Sequence, residues 1–118
     1  MYKKGNILGE QKERNGWIYG NFMPNGDLAK DERIEIKVVD LNNTFTSKPH
    51  YNKTSTKIDM VWEGEAIWQI EGEDIEMKRG DYLIIPPETS TCIKKVISDK
   101  LVVQTIKFPS ISDDKVMI

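Results

Sequence analysis

The chain has 118 residues, 38% hydrophobic and 31% charged, with a formal net charge of −2 at pH 7, which suits one domain with one core. Both signs are scattered, and no basic patch carries interleaved aromatics, which argues against nucleic-acid binding. No apolar run approaches a bilayer span, Met1-Tyr2-Lys3-Lys4 leads into polar residues rather than a signal segment, and the one cysteine, Cys92, forms no internal disulfide, so a cytoplasmic protein is expected.

Residues 1–15 are polar and rich in Lys, Glu and Gly, and read as an arm with at most one short strand. Trp17 to Met23 alternates as a first strand, and Pro24-Asn25-Gly26-Asp27 turns the chain. Leu28 to Glu32 has room for one helical turn. Arg33 to Leu41 reads as an outer strand, with Ile34, Ile36 and Val38 on one face and Arg33, Glu35 and Lys37 on the other. Phe45 to Pro49 leads to His50, and Tyr51 to Ser55 is a polar loop.

The next stretch carries the clearest signal. Lys57, Asp59 and Val61 alternate with Ile58, Met60 and Trp62, the period of a half-buried strand. Gly64 supplies the positive φ of a tight turn and is expected to close a hairpin onto Ala66–Ile70. Trp62 and Trp68 flank that turn and are placed to pair across it. Glu71-Gly72-Glu73 and Lys78-Arg79-Gly80-Asp81 are further turns. Tyr82 to Ile85 is an apolar strand stopped by Pro86-Pro87. Thr91 to Ile97 and Leu101 to Phe108 are strands around a turn at Ser98-Asp99-Lys100. Leu101, Val103 and Thr105 share a face. The tail, 110–118, ends in Val116, Met117 and Ile118, suited to covering an edge. Short strands with turns this regular predict an all-β sandwich or small antiparallel β-barrel.

Gly80-Asp81-Tyr82-Leu83-Ile84-Ile85-Pro86-Pro87 and Val61-Trp62-Glu63-Gly64-Glu65 resemble the two short motifs of the cupin superfamily, and about half the chain is covered. The resemblance implies a cupin-like barrel of the double-stranded β-helix or jelly-roll type, and a homodimer that shares sheet edges, which would pair the N-terminal strands. Gly16-Trp17-Ile18-Tyr19-Gly20 and Phe108-Pro109-Ser110 are also similar to segments of uncharacterised small bacterial cupins, from which no function carries over. At the four positions where the superfamily places metal ligands, this chain has His50, Asn52, Lys57 and Thr91.

A cupin turns Lys57, Asp59 and Val61 inward, and His50, Asn52 and Thr91 would face the same cavity. Lys57 and Asp59, two apart on one face, are suited to pairing, since buried charges need partners. His50 is the only histidine and the one candidate general acid or base. His50 and Asp59 give two metal donors, with Asn52 a poor third, so no cofactor is expected. Lys57 as an imine-forming nucleophile needs a desolvation that the sequence does not show. Cys92 reads as a small buried apolar residue. Trp17, Trp62, Trp68, Tyr19 and Tyr82 read as core or dimer packing rather than a ligand box.

The expectation is therefore a metal-free barrel that holds a small polar metabolite, a sugar or a carboxylate, among His50, Asn52, Lys57, Asp59 and Thr91. Lys57 would meet an anionic group, and Asn52 and Thr91 would fix its orientation. The alternative is an enzyme, either an isomerase or epimerase with His50 as its acid or base, or a degenerate metal-dependent oxygenase.

Overall fold

The computed structural model describes residues 1–118. A short helix, α1 (Ile7–Arg14), precedes ten strands: β1 (Trp17–Tyr19), β2 (Glu35–Asn42), β3 (His50–Asn52), β4 (Thr56–Glu63), β5 (Glu65–Ile70), β6 (Glu73–Lys78), β7 (Tyr82–Ile85), β8 (Thr91–Val96), β9 (Lys100–Phe108) and β10 (Lys115–Met117). They form two five-stranded sheets in the orders β1-β2-β9-β4-β7 and β10-β3-β8-β5-β6. Every pairing is antiparallel. The all-β, jelly-roll expectation holds.

Several turns read as hairpins are corners instead. β4 and β5 lie in different sheets, so the chain changes sheets at Gly64, and does so again between β6 and β7 and between β8 and β9. A corner and a hairpin both need positive φ, which Gly64 has at 91°. The corner adds a close backbone approach, since a Cβ on Gly64 would stand 2.1 Å from the Lys100 carbonyl oxygen. The predicted Trp62–Trp68 pair therefore does not form. Trp62 lies on the outer face, where its Nε1–H donates to Gln104 Oε1 at 2.9 Å. Trp68 is 1% exposed between the sheets. Only Glu71-Gly72 closes a true hairpin, between β5 and β6.

The N-terminal arm is helical where a strand at most was expected. The Asn6 side-chain oxygen accepts hydrogen bonds from Leu8 N and Gly9 N, and Asn15 ends the helix in the left-handed region at φ 53°. Gln11 then bonds the free edge of β2 as a strand would. Its Nε2–H donates to Asp40 O at 2.7 Å, and its Oε1 accepts from Asp40 N at 2.8 Å. With β1 and the Gly16 carbonyl, which accepts from Val38 N, much of that edge is met within the chain. The need to share it with a second copy is thereby reduced.

The first strand is shorter than the alternation suggested. After Tyr19 the chain turns about Gly20, whose carbonyl accepts from Met23 N and Asp31 N. Leu28 to Glu32 forms turns held by Asp27 and Lys30, not a helical turn. The tail covers an edge as expected. β10 pairs with β3, and Asp114 accepts hydrogen bonds from Thr54 N and Ser55 N.

Between the sheets, Val61, Ala66, Trp68, Met77, Val96, Leu101 and Val103 form the buried core, with Val39, Leu41, Phe45 and Leu83 packed against it. No helix is long and apolar enough to cross a membrane.

Candidate functional site

The inner face of the first sheet changes character along its length. Cross-strand registers place Val39, Val103 and Val61 in one row, with Leu41 and Leu101 below it. The next row towards the other end is Lys37, Thr105 and Asp59, and the one after is Glu35, Lys107 and Lys57. Strand alternation keeps all of these side chains on the inner face. The polar rows bound a cavity of about 610 Å³, which the second sheet, the N-terminal segment and Lys115 also line.

One hydrogen-bonded chain organises its buried part. The His50 Nδ1 lies 2.9 Å from the Lys48 carbonyl oxygen, which only an N–H can satisfy, so Nε2 is the acceptor. Lys57 Nζ lies 3.3 Å from that Nε2 and 3.8 Å from Asp59 Oδ2. Beside that ion pair, Asp59 accepts two hydrogen bonds, from Trp68 Nε1–H at 3.0 Å and Thr105 Oγ1–H at 2.7 Å. Lys57 is 7% exposed and Asp59 4%. The predicted pairing of these two residues is present, extended at both ends.

This arrangement engages His50 on both sides of its ring. Both ring nitrogens have partners, and burial, reinforced by the Lys57 charge, lowers its pKa to about 4. The imidazole is neutral at pH 7 and its lone pair is already in use. The residues present do not fit a metal ion either. No three His, Cys, Asp or Glu side chains cluster, and the Lys57 ammonium stands between the two candidate donors, His50 and Asp59.

His50, Lys57, Asp59 and Thr91 all line the cavity. Asn52 does not. It is 3% exposed on the same strand as His50, and its side-chain oxygen has no hydrogen-bond partner, so its expected contact with a ligand has no support in the placement. Thr91 Oγ1 is likewise buried without a partner, but on the cavity wall. Cys92 is a buried free thiol, as read. Of the aromatics, Trp17 and Trp68 line the cavity, Trp62 and Tyr82 are exposed outside it, and the Tyr19 hydroxyl donates to Asp31.

Sequence reasoning missed Lys37, Lys107, Lys115 and Glu35, all on the cavity wall. Lys107 was within reach, because the face that holds Leu101, Val103 and Thr105 continues to it by the same step of two. Lys37 and Glu35 sit on the charged face of the strand read as outer, and that face also holds Val39 and Leu41. Lys115 arrives from the tail, which no local pattern indicates.

Lys37, Lys107 and Lys115 make no hydrogen bond or ion pair within the chain. Two of them bracket one indole, with Lys37 Nζ 4.9 Å and Lys107 Nζ 5.3 Å from the Trp17 ring centroid. Phe22 meets that ring edge-on at 5.7 Å. Burial lowers the pKa of Lys37 to about 8, the charges of Lys57, Lys107 and Lys115 push the same way, and Asp59 opposes them. Burial also lowers Lys107 and Lys115, and it raises Glu35, which Lys107 partly offsets.

No family model and no curated protein matches the sequence. Solved structures do. The chain is similar to a cupin protein (BF4112) from Bacteroides fragilis, at 23% identity over 68% of this chain and 69% of that one, with a TM-score of 0.61. It is similar to KdgF from Halomonas sp., at 22% identity over 70% and 74%, with a TM-score of 0.61. It is also similar to the DMSP lyase DddQ from Ruegeria pomeroyi DSS-3, at 15% identity over 80% of this chain and 47% of that one, with a TM-score of 0.66.

Proposed function

We propose that this chain, which has a cupin-superfamily fold, is a metal-free barrel that binds a small carboxylate-bearing metabolite. The observation that carries this is the convergence of Lys37, Lys107 and Lys115, none with an internal partner, on a cavity that also holds the Lys57–Asp59 pair. Four amines face two carboxylates there, Asp59 and Glu35. Asp59 is already engaged by Lys57, Trp68 and Thr105. A bound anion would supply the missing counter-charge through charge-assisted hydrogen bonds. The Thr91 hydroxyl, buried without a partner on the cavity wall, would orient it, and Trp17 would offer a flat wall for its carbon skeleton.

Similar structures with different described roles, a DMSP lyase and a putative sugar phosphate isomerase, fit a barrel whose contents vary. An isomerase with His50 as base is the less favoured reading, because that imidazole faces Lys57 Nζ at 3.3 Å. A cytoplasmic setting belongs to the proposal, and the buried Cys92 thiol is consistent with it.

A homodimer also belongs to it. Ile36, Ile106, Ile58 and Ile84 form one cross-strand row on the outside of the first sheet, and Trp62, Tyr82 and Ile84 are exposed there. Sedimentation at micromolar concentration should show a dimer that Ile84→Lys dissociates, and a wild-type monomer ends this part.

Calorimetry with mono-, di- and tricarboxylates, sugar acids and neutral sugars tests the binding claim. Carboxylates should bind, more weakly as salt rises, and Lys107→Ala should weaken them about tenfold, the worth of roughly 1.4 kcal/mol of lost contact. Neutral sugars binding as tightly, or no carboxylate binding at all, would overturn it.

A further inference from the structure

We propose that Lys37 is a covalent carbonyl-capture site, and that it forms an imine with a small 2-oxo or aldehyde carboxylic acid held by Lys107 and Lys115. This rests on the anion-pocket reading and names the reactive class of ligand within it.

The geometry separates Lys37 from the other amines: Lys107 lies directly opposite Glu35 on the neighbouring strand and Lys115 is exposed on β10, whereas Lys37 lies one row nearer the core. Lys57 Nζ is held between His50 and Asp59, so its lone pair becomes free only if that network breaks. Lys37 lies in the adjacent row, across Thr105 from Asp59, with its Nζ beside the Trp17 ring and no internal hydrogen bond. A half-buried amine among other cations is the arrangement that frees a lysine lone pair near neutral pH. Every charged group that faces it acts on that balance: Glu35 on its own strand, Lys57 and Asp59 on β4, Lys107 on β9 and Lys115 on β10. His50 on β3 is neutral. The lowering of Lys37 to about 8 agrees with this placement.

The chemistry closes without an added reagent. The neutral Lys37 amine donates its electron pair to the carbonyl carbon, and the C=O π pair moves to oxygen. The two N–H hydrogens leave with that oxygen as water, and a C=N bond remains. A carboxylate next to the carbonyl carbon would sit on the Lys107 and Lys115 ammonium groups. The same cavity would therefore orient the carbonyl towards Lys37.

The test uses the full chain with glyoxylate or pyruvate and cyanoborohydride, which reduces the imine to a stable amine, followed by peptide mass mapping between pH 6 and 10. The expected result is one dominant adduct, on Lys37, formed at least about tenfold faster than on the exposed Lys4 and Lys12, levelling off near pH 8 and blocked by malonate, which has no ketone or aldehyde carbonyl. Lys37→Arg should abolish the dominant adduct, and its fold is checked by circular dichroism. Labelling spread evenly over surface lysines, or concentrated on Lys57, Lys107 or Lys115, overturns the inference. Malonate binding measured on the same sample separates the two readings. Binding without a Lys37 adduct sinks only the covalent step, whereas no binding and no adduct sinks the anion pocket as well.

Discussion

The two ends of one sheet face do opposite work. At one end, β2, β9 and β4 bring together Val39, Val103, Val61, Leu41 and Leu101, in contact with Trp68 and Met77. At the other, the same three strands bring together Lys37, Thr105, Asp59, Glu35, Lys107 and Lys57. The backbone pairing is continuous through both, so hydrogen-bonded register cannot be what distinguishes them. The apolar end removes hydrocarbon from water and supplies the favourable free energy of folding. The charged end costs free energy, because it holds amines close together away from solvent. A sheet face with this division is stabilised at one end and destabilised at the other, the arrangement expected where a site is kept at some expense of stability.

The largest effect should come from the residue that joins the two ends. Asp59 is the counter-charge of Lys57 and also accepts from Trp68, a core residue. Asp59→Ala leaves a buried ammonium unpaired and should cost about 3–5 kcal/mol in urea unfolding. A cost under about 1 kcal/mol would mean that the two ends are independent. Next comes Leu101→Ala, which truncates a fully buried side chain at the apolar end and should cost about 2–5 kcal/mol. Carboxylate affinity in that variant, measured by calorimetry, should stay within a few-fold of wild type, and a large loss would show that the cavity depends on the core's detailed packing.

The sign should reverse at the charged end. Lys37→Met should raise stability at pH 7 by about 1–3 kcal/mol, since it removes a charge held under strain. The pKa of Lys37 is about 8 in the folded chain against an ordinary 10.5, so the unfolded chain binds more protons across that window. Wild-type stability should therefore gain a rising contribution from about pH 8 to 10.5, which the Met variant lacks. A Met variant less stable than wild type at pH 7 would break the comparison.

His50 gives the smallest effect, on the acid side. Its folded pKa of about 4 lies below the ordinary 6.5, so its contribution is complete above about pH 6.5 and is lost as pH falls through about 4. His50→Gln should flatten that limb of a melting-temperature profile, and an unchanged limb would assign the acid loss to other groups.

The inner face was legible in the sequence on β4, where alternation and the family motif coincide. A step of two put Lys57, Asp59 and Val61 on one face, the cupin resemblance turned that face inward, and it is inward. The fold was legible from the Gly-Asp and Pro-Pro punctuation around Tyr82–Ile85. The corners were not, because glycine marks positive φ whether the chain returns to the same sheet or crosses to the other, and Gly64 does the second. Helix α1 escaped because it has little apolar periodicity and is held by polar contacts, from Asn6, Asn15 and Gln11. The lysine cluster escaped for a different reason. Lys37, Lys107 and Lys115 are far apart in sequence, and a charged residue on a strand is read by default as facing water.

Trp17, placed beside two amines, gives the molecule its own optical gauge. Indole emission shifts with the local electric field, and the charges of Lys37 and Lys107 lie about one ring-width from the centroid. Trp62, exposed outside the barrel, supplies a steady background in the same spectrum, whereas Trp68, whose indole donates to Asp59 on the cavity wall, senses the same space. Protonation of the amines, or the arrival of an anion between them, should therefore move the tryptophan emission, most of all that of Trp17. Cavity occupancy can then be followed in unlabelled protein, in real time, with nothing attached to the chain.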